Sequence, residues 1–255
     1  MADESKPAEG YSAFILLAVL MIVAGYAVFY GLQTITVINT RHWGTVEPSL
    51  YETPHDLDLK STAAPQSAHL EFYNYQCDLP WKGPAQTEIG EDATDFKFAS
   101  GAFVRVYSPE AQSDNLKTFK GETPDEQRRI DNAFGPHPFD SNFDLYSAVY
   151  GASPAQVSPF ISRGDAQHVS ALLIWKLNYD MALPGGVFRF DSGPVRGLQF
   201  GSPEQAHAVV VRAFGVQDRQ FEFFILMRAG AGAKLVQNDI NLILGSLKPI
   251  PLPGQ

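Results

Sequence analysis

The first forty residues contain one long run that is uncharged and mostly apolar. No charged residue occurs from Gly10 to Thr40, and the centre of the run, Tyr11–Leu32, reads YSAFILLAVLMIVAGYAVFYGL. A helix of about 20 apolar residues crosses the hydrocarbon core of a bilayer, and tyrosines near both ends of a span suit the interfacial belt. The pattern therefore predicts a transmembrane helix at 11–32, preceded by a polar tail at 1–10.

Two alternatives stay open for this run: a cleaved signal peptide and a buried core helix. A signal peptide begins with a basic segment, whereas MADESKPAEG is acidic, although small residues allow a cut after Gly25 or Ala27. Lys6 and Arg41 flank the run evenly, so the positive-inside rule gives little guidance. We expect a single-pass signal anchor in the cell membrane, with the C-terminal domain on the extracytoplasmic side.

Proline and polar residues dominate the next segment, 33–67, which carries Pro48, Pro54 and Pro65. Such composition predicts a partly extended tether between the membrane and the folded region. The globular domain is expected at 68–248. A proline-rich tail, 249–255, then ends the chain because PIPLPGQ cannot continue a helix.

Alternating apolar residues predict strands near both ends of the globular region. Tyr73, Tyr75, Cys77 and Leu79 alternate with polar residues, so the thiol is expected on an apolar face. Pro80 stops the pairing there, and Trp81 is expected to fold back over the edge of the core. A second early strand falls in FKFASGAFVRVYS, and a meander runs from 188 to 227. Its last strand, QFEFFILMR, is apolar on both faces and therefore interior.

Capping patterns mark helices in the middle third, at 123–135, 143–150 and from about Gly164 to Met181. Ser162 and Asp165 form the capping pair of the last of these, whose apolar centre ALLIW is expected to face the sheet. An amphipathic helix in NDINLILGSL closes the domain. The order predicts an α+β fold: an antiparallel sheet with helices packed on one face, preceded by one N-terminal transmembrane helix.

This order of elements resembles that of PsbP-like domains, in which an early aromatic strand, helices, a β meander and a final amphipathic helix follow one another. The closest pieces are LPW and LILGSLK, and the resemblance covers Leu70–Lys248 as a pattern of elements. PsbP-like domains are extrinsic accessory domains, best known with photosystem II. The chain is also similar to uncharacterised single-pass bacterial membrane proteins with a PW strand ending. Neither resemblance implies a catalytic or binding residue.

Charge and cysteine content exclude several classes of function. The net charge is −9 and no cluster of Lys or Arg occurs, which argues against a nucleic-acid partner. A single cysteine excludes an internal disulfide and a cysteine-based metal centre. No Gly-x-Ser-x-Gly, His-Glu-x-x-His, P-loop or dinucleotide fingerprint is present. We therefore expect no cofactor and no metal; a loose site at His55, Asp56 and Asp58 is more simply a solvated acidic loop.

Four residues remain as candidates for any site. His137 and Asp140 lie close together in GPHPFD and offer a His–Asp pair without a nucleophile. His168 falls near the start of the long helix, where the dipole disfavours a protonated imidazole. Trp81 ends the aromatic strand, and its neighbour Cys77 is expected to be an inert, apolar thiol.

These observations favour a membrane-anchored, non-catalytic module that binds a protein partner or assists the assembly of an envelope complex. A small-ligand or lipid-binding domain is the alternative, with a pocket in the aromatic-rich interval between sheet and helices. A hydrolase that uses His137 or His168 is a further alternative.

Overall fold

The computed structural model describes residues 8–62, 69–109, 124, 128, 131–132, 134, 139–158, 161–178, 183–228 and 234–251 of the 255. Its helices are α1 (Ala8–Val46), α2 (Asn142–Gly151), α3 (Arg163–Asn178), α4 (Pro203–Ala206) and α5 (Gln237–Gly245). Its strands are β1 (His55–Asp56), β2 (His69–Phe72), β3 (Tyr75–Asp78), β4 (Gln86–Ile89), β5 (Ala93–Lys97), β6 (Ala102–Tyr107), β7 (Val187–Asp191), β8 (Arg196–Phe200), β9 (Ala208–Phe214), β10 (Gln220–Met227) and β11 (Lys248–Pro249). Short 3-10 turns occur at Pro48–Tyr51, Pro154–Gln156 and Val216–Asp218.

Two sheets form the framework. The larger has the strand order β1-β7-β8-β9-β10-β6-β5-β4, and the smaller has the order β11-β3-β2. Every pairing is antiparallel except that of β1 with β7. Strands β9 and β10 occupy the middle of the large sheet, which explains why β10 is apolar on both faces.

Each face of the large sheet is covered by a separate apolar core. On one face the small sheet and α5 pack against alternate residues of β6, β9 and β10, among them Val104, Val211 and Phe223. On the other face α2, α3 and the segment after α1 pack against β7, β8 and β9. The domain is therefore a three-layer arrangement in which the large sheet is central.

The predicted α+β class and the mostly antiparallel sheet are confirmed. The helices, however, do not all lie on one face, because α5 buries Ile240, Ile243 and Leu244 on the side opposite α2 and α3. Over the part of the chain that the structure describes, no helix is found that is long and apolar enough to cross a membrane. Most of the helix predicted at 123–135 lies outside the described residues.

The aromatic run at residues 70–79 is a hairpin rather than one strand. Phe72 pairs with Tyr75 across a turn in which Tyr73 and Asn74 have φ values of 44° and 66°. Positive φ at both central residues is the geometry of a type I′ turn, which matches the twist of the flanking strands. The strand period still places Cys77 and Leu79 inside, as the sequence predicted.

The prediction of a partly extended tether at 33–67 is wrong for the residues described there. Helix α1 continues to Val46, Leu50 is fully buried, and β1 adds a parallel strand to the large sheet. Farther on, Asn241 of α5 donates to the carbonyls of Asp58 (2.9 Å) and Lys60 (3.3 Å). Contacts with distant residues fix this segment in place in spite of its prolines and polar residues. Local composition alone does not reveal such contacts.

Candidate functional site

The upper part of α1 exposes large apolar side chains in every direction. Their exposed fractions run from 50% at Val19 to 80% at Val28, and neighbours in sequence are exposed alike, so no single face is turned to the rest of the chain. Exposed apolar surface of this extent marks contact with a membrane or a protein. The residues are Ile15, Leu16, Leu17, Val19, Leu20, Met21, Ile22, Val23 and Val28.

The lower part of α1 packs against the domain along one stripe. Val37, Thr40 and Gly44 are buried and follow one another at helical spacing. The Thr40 hydroxyl lies 3.4 Å from that of Ser170 on α3. Gly44 admits the ring of Tyr51, since a Cβ on Gly44 would lie 2.5 Å from that ring. The helix therefore passes from an exposed apolar region into the folded domain without a break.

Lys176 holds the junction between α1 and the rest of the domain. It is 1% exposed, and the three N–H groups of its ammonium are shared among four backbone carbonyls within hydrogen-bond distance. Two of these belong to Leu50 (3.2 Å) and Glu52 (2.5 Å), which follow α1, and two to Tyr150 (3.3 Å) and Ala152 (3.0 Å), at the end of α2. A buried charge is tolerated when hydrogen bonds replace its hydration shell. One side chain thus ties three segments together.

At the opposite end of α3, the ring of Phe134 packs on His168. The ring centroids of Phe134 and His168 are 4.1 Å apart, and Phe139 lies 5.5 Å from Phe134. The start of α3 is capped as predicted: Asp165 N donates to Ser162 Oγ (3.1 Å), and that hydroxyl donates to Asp165 Oδ2 (2.6 Å). The cap accounts for Asp165 without any further role.

The predicted pair of His137 and Asp140 lies partly outside the described residues. His137 lies outside them. Asp140 is exposed, and no hydrogen bond joins its side chain to that of His168, both of which are described. The prediction of a His–Asp pair is not tested by these contacts.

Trp81 and Cys77 are core residues on the other face of the large sheet. Trp81 is 8% exposed and its ring lies 5.4 Å from that of Phe98. Cys77 is 1% exposed, and burial raises the pKa of its thiol well above the ordinary value, with the charge of Asp78 acting in the same direction. A thiol held in its neutral form is a poor nucleophile.

A strip of half-buried side chains runs over β6 and β10, on the same face of the large sheet as α2 and α3. We call it the aromatic strip; it consists of Phe103, Arg105, Tyr107, Phe224 and Leu226. The guanidinium of Arg105 lies 5.8 Å and 6.0 Å from the ring centroids of Phe103 and Tyr107. Arginine between aromatic rings is typical of protein interfaces.

Asp95 of β5 fixes the central arginine of the aromatic strip. Arg105 Nε and Nη2 donate to the two oxygens of Asp95 at 2.6 Å and 2.7 Å, a bidentate pair. These hydrogen bonds hold the pKa of Asp95 below its ordinary value, and they raise the pKa of Arg105. The guanidinium is therefore charged, oriented and partly exposed.

Arg212 is a second buried cation, on β9. It is 8% exposed, its Nε donates to Glu222 (2.9 Å), and its guanidinium lies 4.9 Å from the ring of Tyr146. Burial acts against its charge, but Tyr146, Tyr150 and Glu222 outweigh it and raise the pKa of Arg212. Among the described residues, its buried Nη1 has no hydrogen-bond partner, and the same is true of Ser147 Oγ.

Other sequence candidates have structural roles. His55 and Asp56 form β1, and Asp58 pairs with Lys60 at 3.3 Å. Glu204 accepts from the backbone of Gln237 at the start of α5 (2.7 Å). Within the described residues, no group of three or more histidine, cysteine or acidic side chains is placed to hold a metal ion.

Sequence reasoning missed Lys176 and Arg212. The sequence does mark both positions as charges in apolar surroundings, because Lys176 follows ALLIW directly and Arg212 is the one charged residue in VVVRAF. A charge inside an apolar run of a helix or interior strand is costly unless it is paired. Such a position predicts a buried polar contact, although the partners come from distant segments.

Comparison with known proteins gives no relative from which to transfer a role. No protein-family model matches the chain, and no curated protein or solved structure matches it. The resemblance to PsbP-like domains, based on element order, stays a prediction.

Proposed function

We propose that this chain is a single-pass, membrane-anchored, non-catalytic module that binds a protein partner or assists the assembly of a complex in a bacterial envelope. Residues 11–32 cross the membrane, and the folded part from residue 33 on, here called the head, lies on the extracytoplasmic side. The observation that carries the proposal is the apolar, exposed circumference of α1 between Ile15 and Val28, which continues into a helix packed on the head.

The length and composition of residues 11–32 in the sequence support this proposal, which goes beyond the finding that no helix among the described residues is long and apolar enough to cross a membrane. Residues 11–32 would extend for about 33 Å as a helix, close to the ~30 Å hydrocarbon thickness of a bilayer. Tyr26 and Tyr30, stacked at 5.4 Å, lie toward the end nearest the head, where the interfacial belt would be. Exposure of this apolar surface to water is unfavourable by ~25 cal/mol of free energy for each Å².

The anchor is tested by extraction of native membranes at alkaline pH, followed by density flotation. We expect the full-length chain to stay with the lipid. A variant with Leu20→Asp and Val23→Lys, which places charges in the exposed apolar region, should move to the supernatant while its head stays folded, because these side chains are 56% and 58% exposed and precede the head. Release of the unmodified chain would refute the anchor.

The aromatic strip supports a protein partner. Phe103, Arg105, Tyr107, Phe224 and Leu226 present apolar area around one oriented cation, and Tyr, Phe and Arg are enriched at the centres of protein interfaces. Lys97 and Glu88, paired across β5 and β4, border the strip with charge. A polar border around an apolar centre is the usual arrangement of an interface.

Affinity isolation from gently solubilised native membranes tests the partner. The variant Phe103→Ser/Phe224→Ser should lower the recovery of a stoichiometric partner by about tenfold or more, as expected for residues of an interface centre. Ile89→Ser is the matched control, since Ile89 is 85% exposed but lies on β4, outside the strip. Equal recovery with both variants would exclude the strip as the docking surface.

A second candidate function, binding of a small ligand, is favoured by Arg212. Its Nη1 and Ser147 Oγ are buried and have no partner among the described residues, and aromatic rings surround the guanidinium. Glu222 already balances the charge, so a neutral acceptor such as a carbonyl group fits better than an anion. Native mass spectrometry of the purified full-length chain tests this, because a bound small molecule that Arg212→Met abolishes would support the ligand site.

A further inference from the structure

The contacts between α1 and α3 define the direction in which the membrane run leaves the head. Thr40 meets Ser170, and farther along both segments Lys176 binds the carbonyls of Leu50 and Glu52. Increasing residue number on one segment therefore matches increasing number on the other. From this matching order we infer that the two helices run in the same direction and that α1 leaves the head beside the start of α3.

The start of α3 is level with the end of the apolar run. Arg163 precedes Ser170 by about two turns, or ~10 Å along the axis. The same distance back from Thr40 along α1 reaches Gln33, the residue that follows Leu32. If residues 11–32 fill the bilayer, then the first turn of α3 stands at the boundary between lipid and water.

Two sets of contacts prevent the head from swinging away from this position. The buried stripe of Val37, Thr40 and Gly44 seats α1 on the domain, and the four carbonyls around Lys176 fasten the segment that follows. A helix without an intervening loop transmits its direction, because bending it needs a kink at a break in the hydrogen-bond ladder. The head is therefore held in one orientation.

The residues at this end of the head suit the interfacial region of a bilayer. Phe134 packs with both Phe139 and His168, and all three rings are half-buried, as is Ile161. Arg163 is exposed. Aromatic rings and basic side chains are both favoured at the depth of lipid headgroups, where a ring has one apolar and one wet side.

We propose that the end of the head formed by Phe134, Phe139, Ile161, Arg163 and His168, here called the juxtamembrane end, lies against the phospholipid headgroups. The inference rests on the proposed membrane anchor and adds the orientation of the head and the surface that contacts lipid. His168, singled out in the sequence as a candidate base, belongs to this surface, where a ring among aromatic neighbours contributes contact area.

Single-cysteine labelling of the full chain tests the orientation. The native Cys77 is 1% exposed and its neutral thiol resists reagents, so a probe attaches only to an introduced cysteine, and the unmodified chain is the labelling control. Gln167→Cys places the probe at the juxtamembrane end. Leu177→Cys places it on the same helix, with an exposed side chain about 15 Å farther along the axis.

Energy transfer is measured from each probe to acceptors on headgroups in phosphatidylcholine–phosphatidylglycerol vesicles. Because α1 and α3 run together, the axial separation of the two probes becomes a difference in height of about 10–15 Å, and transfer should be at least about twofold stronger at position 167. Equal or reversed transfer in chains that float with the vesicles would overturn the orientation but keep the anchor. Chains that do not float would overturn both proposals.

Discussion

Replacement of Lys176 by methionine is the sharpest test of how α1 is joined to the head. Methionine keeps the length of the side chain and removes the ammonium group, so that the carbonyls of Leu50, Glu52, Tyr150 and Ala152 lose a donor. Three of these contacts are buried away from water, and only the one to Glu52 is partly open.

The expected loss follows from those three carbonyls. A buried acceptor left without its donor costs about 1–3 kcal/mol. Removal of the charge offsets part of this destabilisation, because the variant no longer has the desolvation penalty of a buried ammonium group. Taking the lower value for each buried carbonyl, we expect the free energy of unfolding to fall by about 3 kcal/mol, a large share of the usual ~5–15 kcal/mol.

Urea denaturation of the full-length chain in detergent measures this, with tryptophan emission as the signal, because Trp175 is buried next to Lys176. Lys60→Met is the matched control: Lys60 is 91% exposed, and its pair with Asp58 is a surface contact worth less than ~1 kcal/mol. If Lys176→Met lowers the free energy of unfolding by less than ~1 kcal/mol, or by no more than the control does, the role given to the four carbonyls is refuted.

Three further outcomes are expected. The hydrogen bonds from Arg105 lower the pKa of Asp95, so the ionised carboxylate stabilises the fold fully above pH 3.8, its ordinary pKa, and this contribution is lost as the pH falls through the lowered pKa. Asp95→Asn should therefore flatten the acid side of a curve of stability against pH. An unchanged acid side would contradict this. Cys77 should react with a thiol reagent only after denaturation, and rapid labelling of the native chain would show that it is accessible. Phe223→Ala, which removes a fully buried ring 5.0 Å from that of Phe72, should cost about 3–5 kcal/mol in urea denaturation, whereas a cost below ~1 kcal/mol would mean that the core refills.

The parts of the fold that depend on local signals could be predicted from the sequence. Ser162 and Asp165 cap α3 as their spacing indicates, and Ser153 and Gln156 form a reciprocal cap at the 3-10 turn between them. Gly151 closes α2. In each case the donor and the acceptor lie within a few residues, so the sequence window contains the whole interaction.

The junction with α1 could not be predicted, because its causes are far apart in sequence. Residues 33–46 include several β-branched residues, which have low helix propensity, and the buried stripe there has meaning only once α3 is in place. The two residues of β1 are too few to show a strand period. Lys176 likewise acquires its role from carbonyls of two other segments.

Residues 55–62 cannot reach their native contacts until nearly the whole chain has been synthesised. Asn241 bonds Asp58 and Lys60 across 183 and 181 positions of sequence, and β1 pairs with a strand from the last third of the domain. At about 5–20 residues per second, synthesis leaves this segment waiting for roughly 10–40 s. Contacts of such long range also close slowly.

The contacts of residues 55–62, which are synthesised early, are therefore among the last to form. A chain that stops before α5 would keep its apolar N-terminal run but leave Leu57 and Leu59 without the core against which they pack. Such a fragment would expose apolar surface of the unfinished core, which makes it a target for quality-control proteases. Closure of the last helix over residues 58–62 is thus the step that distinguishes a complete molecule from an interrupted one.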